Sequence, residues 1–248
     1  MELQDEIEDY WTRRGNGFSR SINDEFENGN NTVREELLSK LGLSKGMKVL
    51  DIGCGPGYFE LILKDMGLEL YGIDYSNGMV ENAKVNMEHH GIKADIRRMD
   101  AQALEFEDCM FDAVISRNVL WSLVRPRDAY SEILRVMKPG AKAVIIDGNY
   151  YLHLFDKRYE RKAPPVMPKH KDFAGSHYKF NDEKVDFNEI TELAKGLPLS
   201  KEIRPNWDFS VLSEMPCSNI DVSIRARADD SGFRRIGMFT ITITKEVL

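Results

Sequence analysis

Three glycines at alternate positions, Gly53, Gly55 and Gly57, follow the apolar run 48–52, and Asp51 sits just ahead of them. Glycines after a strand let the backbone turn tightly and bring its amides close to a nucleotide-like ligand. A nicotinamide-binding turn would put its third glycine at position 58, where this chain has Tyr58. A carboxylate at the head of the turn attracts an ammonium group and repels a pyrophosphate. These two departures point away from NAD and towards S-adenosylmethionine. Two more acids stand at similar places: Asp74 ends the run 69–73, and Asp100 follows the run 94–98.

The elements that must position these residues are legible around them. Thr32 and Glu35 have the spacing of a capping box, ahead of Val33, Leu37, Leu38 and Leu41 at helical spacing. Residues 48–52 read as a first strand, and 59–66 as a helix stopped at Gly67. Residues 69–73 follow as a second strand. Ser76 can cap a helix through Met79, Val80, Ala83 and Met87, which Gly91 ends. Strands at 94–98, 111–116 and 141–146 alternate with a helix over 127–137, stopped by Pro139-Gly140. Such alternation predicts βαβ units, a parallel sheet and helices on both faces. Residues 148–206 break the rhythm with five prolines, and helices are expected near 186–194 and 206–214. Residues 221–227 and 235–244 alternate with period two across the turn 229–232, which predicts two antiparallel strands at a sheet edge.

The chain resembles the class I S-adenosylmethionine-dependent methyltransferases. The resemblance rests on residues 49–58 (VLDIGCGPGY), 72–76 (GIDYS), 99–103 (MDAQA) and 135–140 (RVMKPG), in the family's order and spacing over roughly 32–147. It implies a three-layer Rossmann-like α/β sandwich, with a mostly parallel seven-stranded sheet and an antiparallel C-terminal strand. It also implies roles. Asp51, Gly53 and Gly55 face the methionine moiety, with Cys54 as a small residue fitting the turn and Gly57 completing it. Asp74 accepts both ribose hydroxyls. Tyr75 and Met79 pack on the adenine, Asp100 and Ala101 contact its edge, and Arg117 and Asn118 border the methionine end. One domain over 1–248 is expected. Within it, 1–31 is an N-terminal lid segment and 32–147 the donor-binding core. An insertion at 148–206 covers the acceptor site, and 207–248 holds a helix and the closing strands.

Methyl transfer from a sulfonium needs alignment and exclusion of water more than a catalytic constellation. A general base is required only when the acceptor holds its proton at neutral pH, and Tyr10 and His153 are the candidates. Tyr10, Trp11, Arg13, Phe18 and Trp121 are expected around the acceptor. Composition narrows the partners. A net charge of −7 and a pI near 5.4 lack the basic footprint of a nucleic-acid binder. The residues after the fourth strand, Ser-Arg-Asn-Val-Leu-Trp121, lack the Asn/Asp-Pro-Pro-aromatic motif of amino-methylating nucleobase enzymes. A small-molecule acceptor is therefore expected. RNA or protein methylation, a non-catalytic donor-binding module and a nicotinamide oxidoreductase stand as alternatives. The basic run from Lys157 to Lys171 could attract an anionic acceptor or form a solvated face. His153, His170 and His177 lack converging ligands, so no metal is expected. Cys54, Cys109 and Cys217 form no metal pair or disulfide framework. No apolar run approaches the ~20 residues of a membrane helix, and the acidic N-terminus lacks signal-peptide character, so a cytoplasmic location is expected. Acceptor identity and oligomeric state have no signature here.

Overall fold

The computed structural model describes residues 2–28, 32–160, 180, 185–228 and 234–247. Seven strands form one sheet: β1 (Lys48–Ile52), β2 (Glu69–Asp74), β3 (Ala94–Arg98), β4 (Phe111–Arg117), β5 (Met137–Gly148), β6 (Cys217–Ala228) and β7 (Arg234–Lys245). Their order is β3-β2-β1-β4-β5-β7-β6. The first five run parallel, and β7 is antiparallel to both neighbours. This is the expected three-layer, mostly parallel sandwich. The order reverses at β1, and an open α/β sheet leaves its ligand crevice at such a switch point, beyond the carboxyl ends of the strands.

The helices are α1 (Leu3–Asn28), α2 (Thr32–Leu41), α3 (Tyr58–Leu63), α4 (Asn77–His89), α5 (Pro126–Val136), α6 (Glu189–Ala194) and α7 (Asn206–Leu212). Strand alternation divides the core. Val49, Leu70, Ile96, Ala113 and Ile115 face α2, α3 and α4 through Leu37, Leu61 and Ala83. Leu50, Ile52, Ile73, Val114 and Ile145 face α5 and α7 through Tyr130, Ile133 and Leu212. Ser76 caps α4 as expected, accepting from the Met79 amide at 3.2 Å.

One expectation is corrected. Pro139-Gly140 does not separate the fifth helix from a strand at 141: β5 begins at Met137 and contains both residues. Proline cannot donate to a ladder, and here it falls in the irregularity between the pairs Phe111–Met137 and Ala113–Lys142, where Gly140 takes φ 75°. The N-terminal segment, read only as a polar lid, is a continuous 26-residue helix. Gly15 and Gly17 each cost about 1 kcal/mol in a helix interior. Gly15 also permits close approach: a Cβ on it would lie 2.8 Å from the Gly78 carbonyl oxygen, and one on Gly78 would lie 2.3 Å from that of Thr12.

The turn at 229–232, His170, His177 and most of the basic run lie outside the described residues. Among the described residues no helix is long and apolar enough to cross a membrane.

Candidate active site

The glycine turn is held by its backbone conformation. Gly53, Gly55 and Gly57 adopt φ of 67°, 52° and 91°, a left-handed region that side chains disfavour. A Cβ on Gly53 would also collide with Val119 at 2.2 Å. Asp74, at the end of β2, ties the turn to the next strand. One of its oxygens accepts from the Gly55 amide and the other from the Ser76 amide, both at 2.9 Å. Burial pushes the Asp74 carboxyl up to about 6, against the pull of these amides. The Cys54 thiol is buried and pushed up, so it stays neutral. Asp51 is 4% exposed and its Oδ1 has no hydrogen-bond partner.

The remaining expected residues gather around this turn. Met79 is buried in the first turn of α4, and the Arg98 guanidinium lies 5.0 Å above the Tyr75 ring. Asp100 Oδ1 accepts from the Gln102 amide at 2.9 Å, and Oδ2 accepts from Gln4 Nε2 on α1 at 2.8 Å. Ala101 is buried beside it. Arg117, at the end of β4, pairs with Glu25 of α1 at 3.0 Å and lies over the Tyr58 ring, while its Nη1 has no hydrogen-bond partner. Asn118 takes φ 62°, a left-handed conformation uncommon outside glycine.

Helix α1 covers this side of the molecule. Thr12 Oγ1 meets Ser76 Oγ at 3.0 Å, and the Phe18 ring lies 3.4 Å from the point a Gly55 Cβ would occupy. Tyr10 packs edge-on against Trp11, and Trp11 against Phe18. Tyr10 also joins Trp121, Val185 and Ile190 in a buried cluster flanked by Trp11, Tyr150 and Tyr151. Arg13 departs from this group: it reaches Asp9 at 2.9 Å and Glu189 at 2.5 Å on the outer face. The His153 ring Nδ1 lies 3.0 Å from the Tyr150 carbonyl.

Sequence reasoning missed several members. Tyr150, just after β5, donates its hydroxyl to Asn118 Oδ1 at 2.5 Å. Gln4, Thr12 and Glu25 reach the motif residues from far along the chain. Glu60 lies buried under the turn. Arg204 is fully buried, paired with Asp147 and with Asp208 at 2.6 Å; Asp208 also accepts from the Tyr130 hydroxyl, and Asp147 from the Trp121 amide. No local spacing announces these partners, although the helical recurrence of Leu3, Ile7, Tyr10, Phe18, Ile22 and Phe26 could have announced α1. Among the described residues no group of three or more His, Cys, Asp or Glu could hold a metal ion.

A parallel sheet with a glycine turn at its switch point, and acids at the ends of the second and third strands, forms the crevice in which open α/β sheets hold their ligands. Comparison with known proteins agrees. The methyltransferase domain family matches residues 50–145. A phosphatidylethanolamine N-methyltransferase of Cereibacter sphaeroides is 28% identical, over 63% of this chain and 76% of its own length. A demethylmenaquinone methyltransferase of Staphylococcus aureus is 36% identical over 54% and 57%. The chain spans about half the length of the demethylmenaquinone relatives it matches. An S-adenosylmethionine-dependent methyltransferase of Aquifex aeolicus shares the fold, with a TM-score of 0.52 at 22% identity, over 85% of this chain and 88% of that one. Residues 50–145 thus match the methyltransferase domain family, and the chain shares the fold of S-adenosylmethionine-dependent methyltransferases.

Proposed function

We propose that this enzyme methylates a small molecule with a substantial apolar part, held between α1 and the segments that follow β4 and β5. The observation that carries the reading is the run of rings Phe18, Trp11, Tyr10, Trp121 and Tyr150, which starts against the glycine turn and lines one side of it. The names of the two relatives above, one for a phospholipid amine and one for a menaquinone precursor, support an acceptor with apolar character.

The donor fits the residues present. Its tail carries an ammonium and a carboxylate, and the turn offers an unpartnered buried Asp51 oxygen and an unpartnered buried Arg117 nitrogen. On this reading Asp51 and the backbone of Gly53 and Gly55 meet the methionine moiety, bordered by Arg117 and Asn118. Asp74 keeps acceptor capacity for the ribose, because a carboxylate offers about four acceptor sites and the backbone amides of Gly55, Tyr75 and Ser76 take three at most. Tyr75 and Met79 flank the adenine, with Asp100 and Ala101 at its edge.

S-adenosylmethionine supplies a methyl group already activated on a sulfonium. The protein's work is then to align the acceptor and exclude water, and an aromatic wall under a packed helix does both. Burial pushes the Tyr150 hydroxyl well above its usual range, so it keeps its proton and acts as a donor to Asn118. His153, with Nδ1 against a carbonyl, is the candidate for accepting a proton.

The test is transfer of labelled methyl to a panel of amine-headgroup lipids, hydroxylated quinols and a metabolite extract, beside RNA and protein fractions. Label in the small-molecule fraction is expected, with Trp121→Ala lowering kcat/KM for the acceptor about 10–100-fold while donor affinity holds. Label confined to RNA or protein would overturn the acceptor class.

A further inference from the structure

Glu60 has no part in the reading above, yet it lies directly beneath the donor turn. It sits in the first turn of α3, 1% exposed, and neither of its carboxyl oxygens has a hydrogen-bond partner. Asp51 is nearly as buried, and one of its oxygens is likewise without a partner. The two acids share one space. Asp51 pairs in register with Gly72 across β1 and β2, so both positions address the same face of the sheet. Gly72 has no side chain, and Glu60 Oε1 lies 2.5 Å from the point its Cβ would occupy. The Glu60 carboxyl therefore fills the place a Gly72 side chain would take, beside Asp51 on the neighbouring strand. The surrounding atoms are apolar: Ile96, Met87 and Ala83 line the same gap around Gly72 and Gly57. Two ionised carboxylates this close and this dry repel each other strongly, so at least one holds its proton.

We propose that Asp51 and Glu60 form one carboxyl pair that shares a proton in the donor-free protein, and that the donor's ammonium group expels this proton when it binds at the turn. The inference rests on the donor reading above. The step is balanced: one carboxyl O–H bond breaks, the proton leaves to solvent, and the pair gains one negative charge facing the ammonium. Asp51 meets the ammonium, whereas Glu60 acts through Asp51 and is a positioning residue.

The groups around the pair fit this arrangement. The turn contributes Cys54, a neutral thiol, and the end of β2 contributes Asp74, whose charge adds to the repulsion. Arg117, at the end of β4, favours ionisation of Asp51. Burial pushes Glu60 up to about 8, and burial followed by the Glu60 charge pushes Asp51 up as well. The two titrate as a unit rather than as separate acids.

The experiment is calorimetric titration with S-adenosylhomocysteine, which carries the same ammonium, in two buffers of different ionisation enthalpy near neutral pH. The wild type should release about half a proton or more per site, and its affinity should rise between about pH 6 and 7.5, at most ~10-fold per pH unit. Glu60→Gln should release clearly fewer protons, and its affinity should rise less steeply over the same range. Binding without proton release, or equal release by Glu60→Gln, overturns the pair while leaving the donor reading intact. No binding at all by the wild type overturns both. A second measurement needs no variant: carboxyl-carbon NMR of the donor-free wild type should show a glutamate titrating near 8, moving down when S-adenosylhomocysteine is added. A spectrum in which every glutamate titrates in the ordinary acid range sinks the proposal.

Discussion

The Tyr150 hydroxyl holds the Asn118 side-chain carbonyl at 2.5 Å, and Asn118 itself occupies a left-handed backbone conformation at φ 62°. One bond thus links the segment after β5 to the end of β4, beside Trp121 and the donor turn. Tyr150→Phe leaves the Asn118 oxygen without its donor in a part-buried site. The expected loss is about 1–3 kcal/mol of stability. Thermal unfolding checks it, and an unchanged Tm would mean that Asn118 finds another partner at no cost.

Asp51→Ala and Asp74→Ala each remove a carboxylate from the donor turn. Either change should weaken S-adenosylhomocysteine binding by about 1–3 kcal/mol, the scale of a lost charge-assisted hydrogen bond. If calorimetry finds both affinities at the wild-type value, the donor lies elsewhere.

Asp74 also has a pH signature. Burial raises its folded carboxyl to about 6, above the usual carboxylate range near 4. A raised acid favours the folded state while protonated, so this contribution is fully present below about 4 and is lost as pH rises through about 6. Denaturant titrations from pH 4 to 7 should therefore show wild type losing ground to Asp74→Asn as pH rises, at most ~1.4 kcal/mol per pH unit. The opposite sign would mean that the amides of Gly55 and Ser76 outweigh desolvation.

Gly78 and Gly91 separate space from conformation. A Cβ on Gly78 meets the Thr12 carbonyl at 2.3 Å, whereas Gly91 has open space but takes φ 62°. Gly78→Ala should cost about 1–3 kcal/mol by forcing α1 off α4. Gly91→Ala should cost about 1 kcal/mol through its backbone alone. Equal losses in urea unfolding would place α1 further from α4 than these distances do.

Arg204→Met should be among the most destabilising single changes. It leaves Asp147 and Asp208 buried with no cation between them, and breaking a buried pair this way costs about 3–5 kcal/mol. Replacing all three by apolar residues should recover much of that loss, since the pair's own desolvation disappears with it. Denaturant midpoints of the single and triple variants decide the point.

The half of the molecule around the glycine turn was legible because each of its constraints is local. Alternating apolar residues announce β1 to β4, the glycines announce a turn that side chains would strain, and Asp51, Asp74 and Asp100 stand at strand ends. Ser76 signals its cap by position alone. The half formed by α1 and the segments after β4 and β5 was not, because its contacts join distant segments: Tyr150 to Asn118, Arg13 to Glu189, Arg204 to Asp147. Helix α1 was obscured by its own composition. Gly15 and Gly17 argue against a helix on propensity, and the close approach to Gly78 explains Gly15. Glu60 was invisible for a different reason: its meaning depends on the missing side chain of Gly72, one strand away.

The contacts of α1 also set a timetable for the growing chain. Its partners Ser76, Arg117 and Asp100 lie 64, 92 and 96 residues downstream of Thr12, Glu25 and Gln4. At a synthesis rate of roughly 5–20 residues per second, α1 leaves the ribosome seconds before anything it packs against exists. Its apolar stripe, from Ile7 through Phe26, waits in solvent until α3 and α4 have emerged, and its bonds to Asp100 and Arg117 wait for the third and fourth strands.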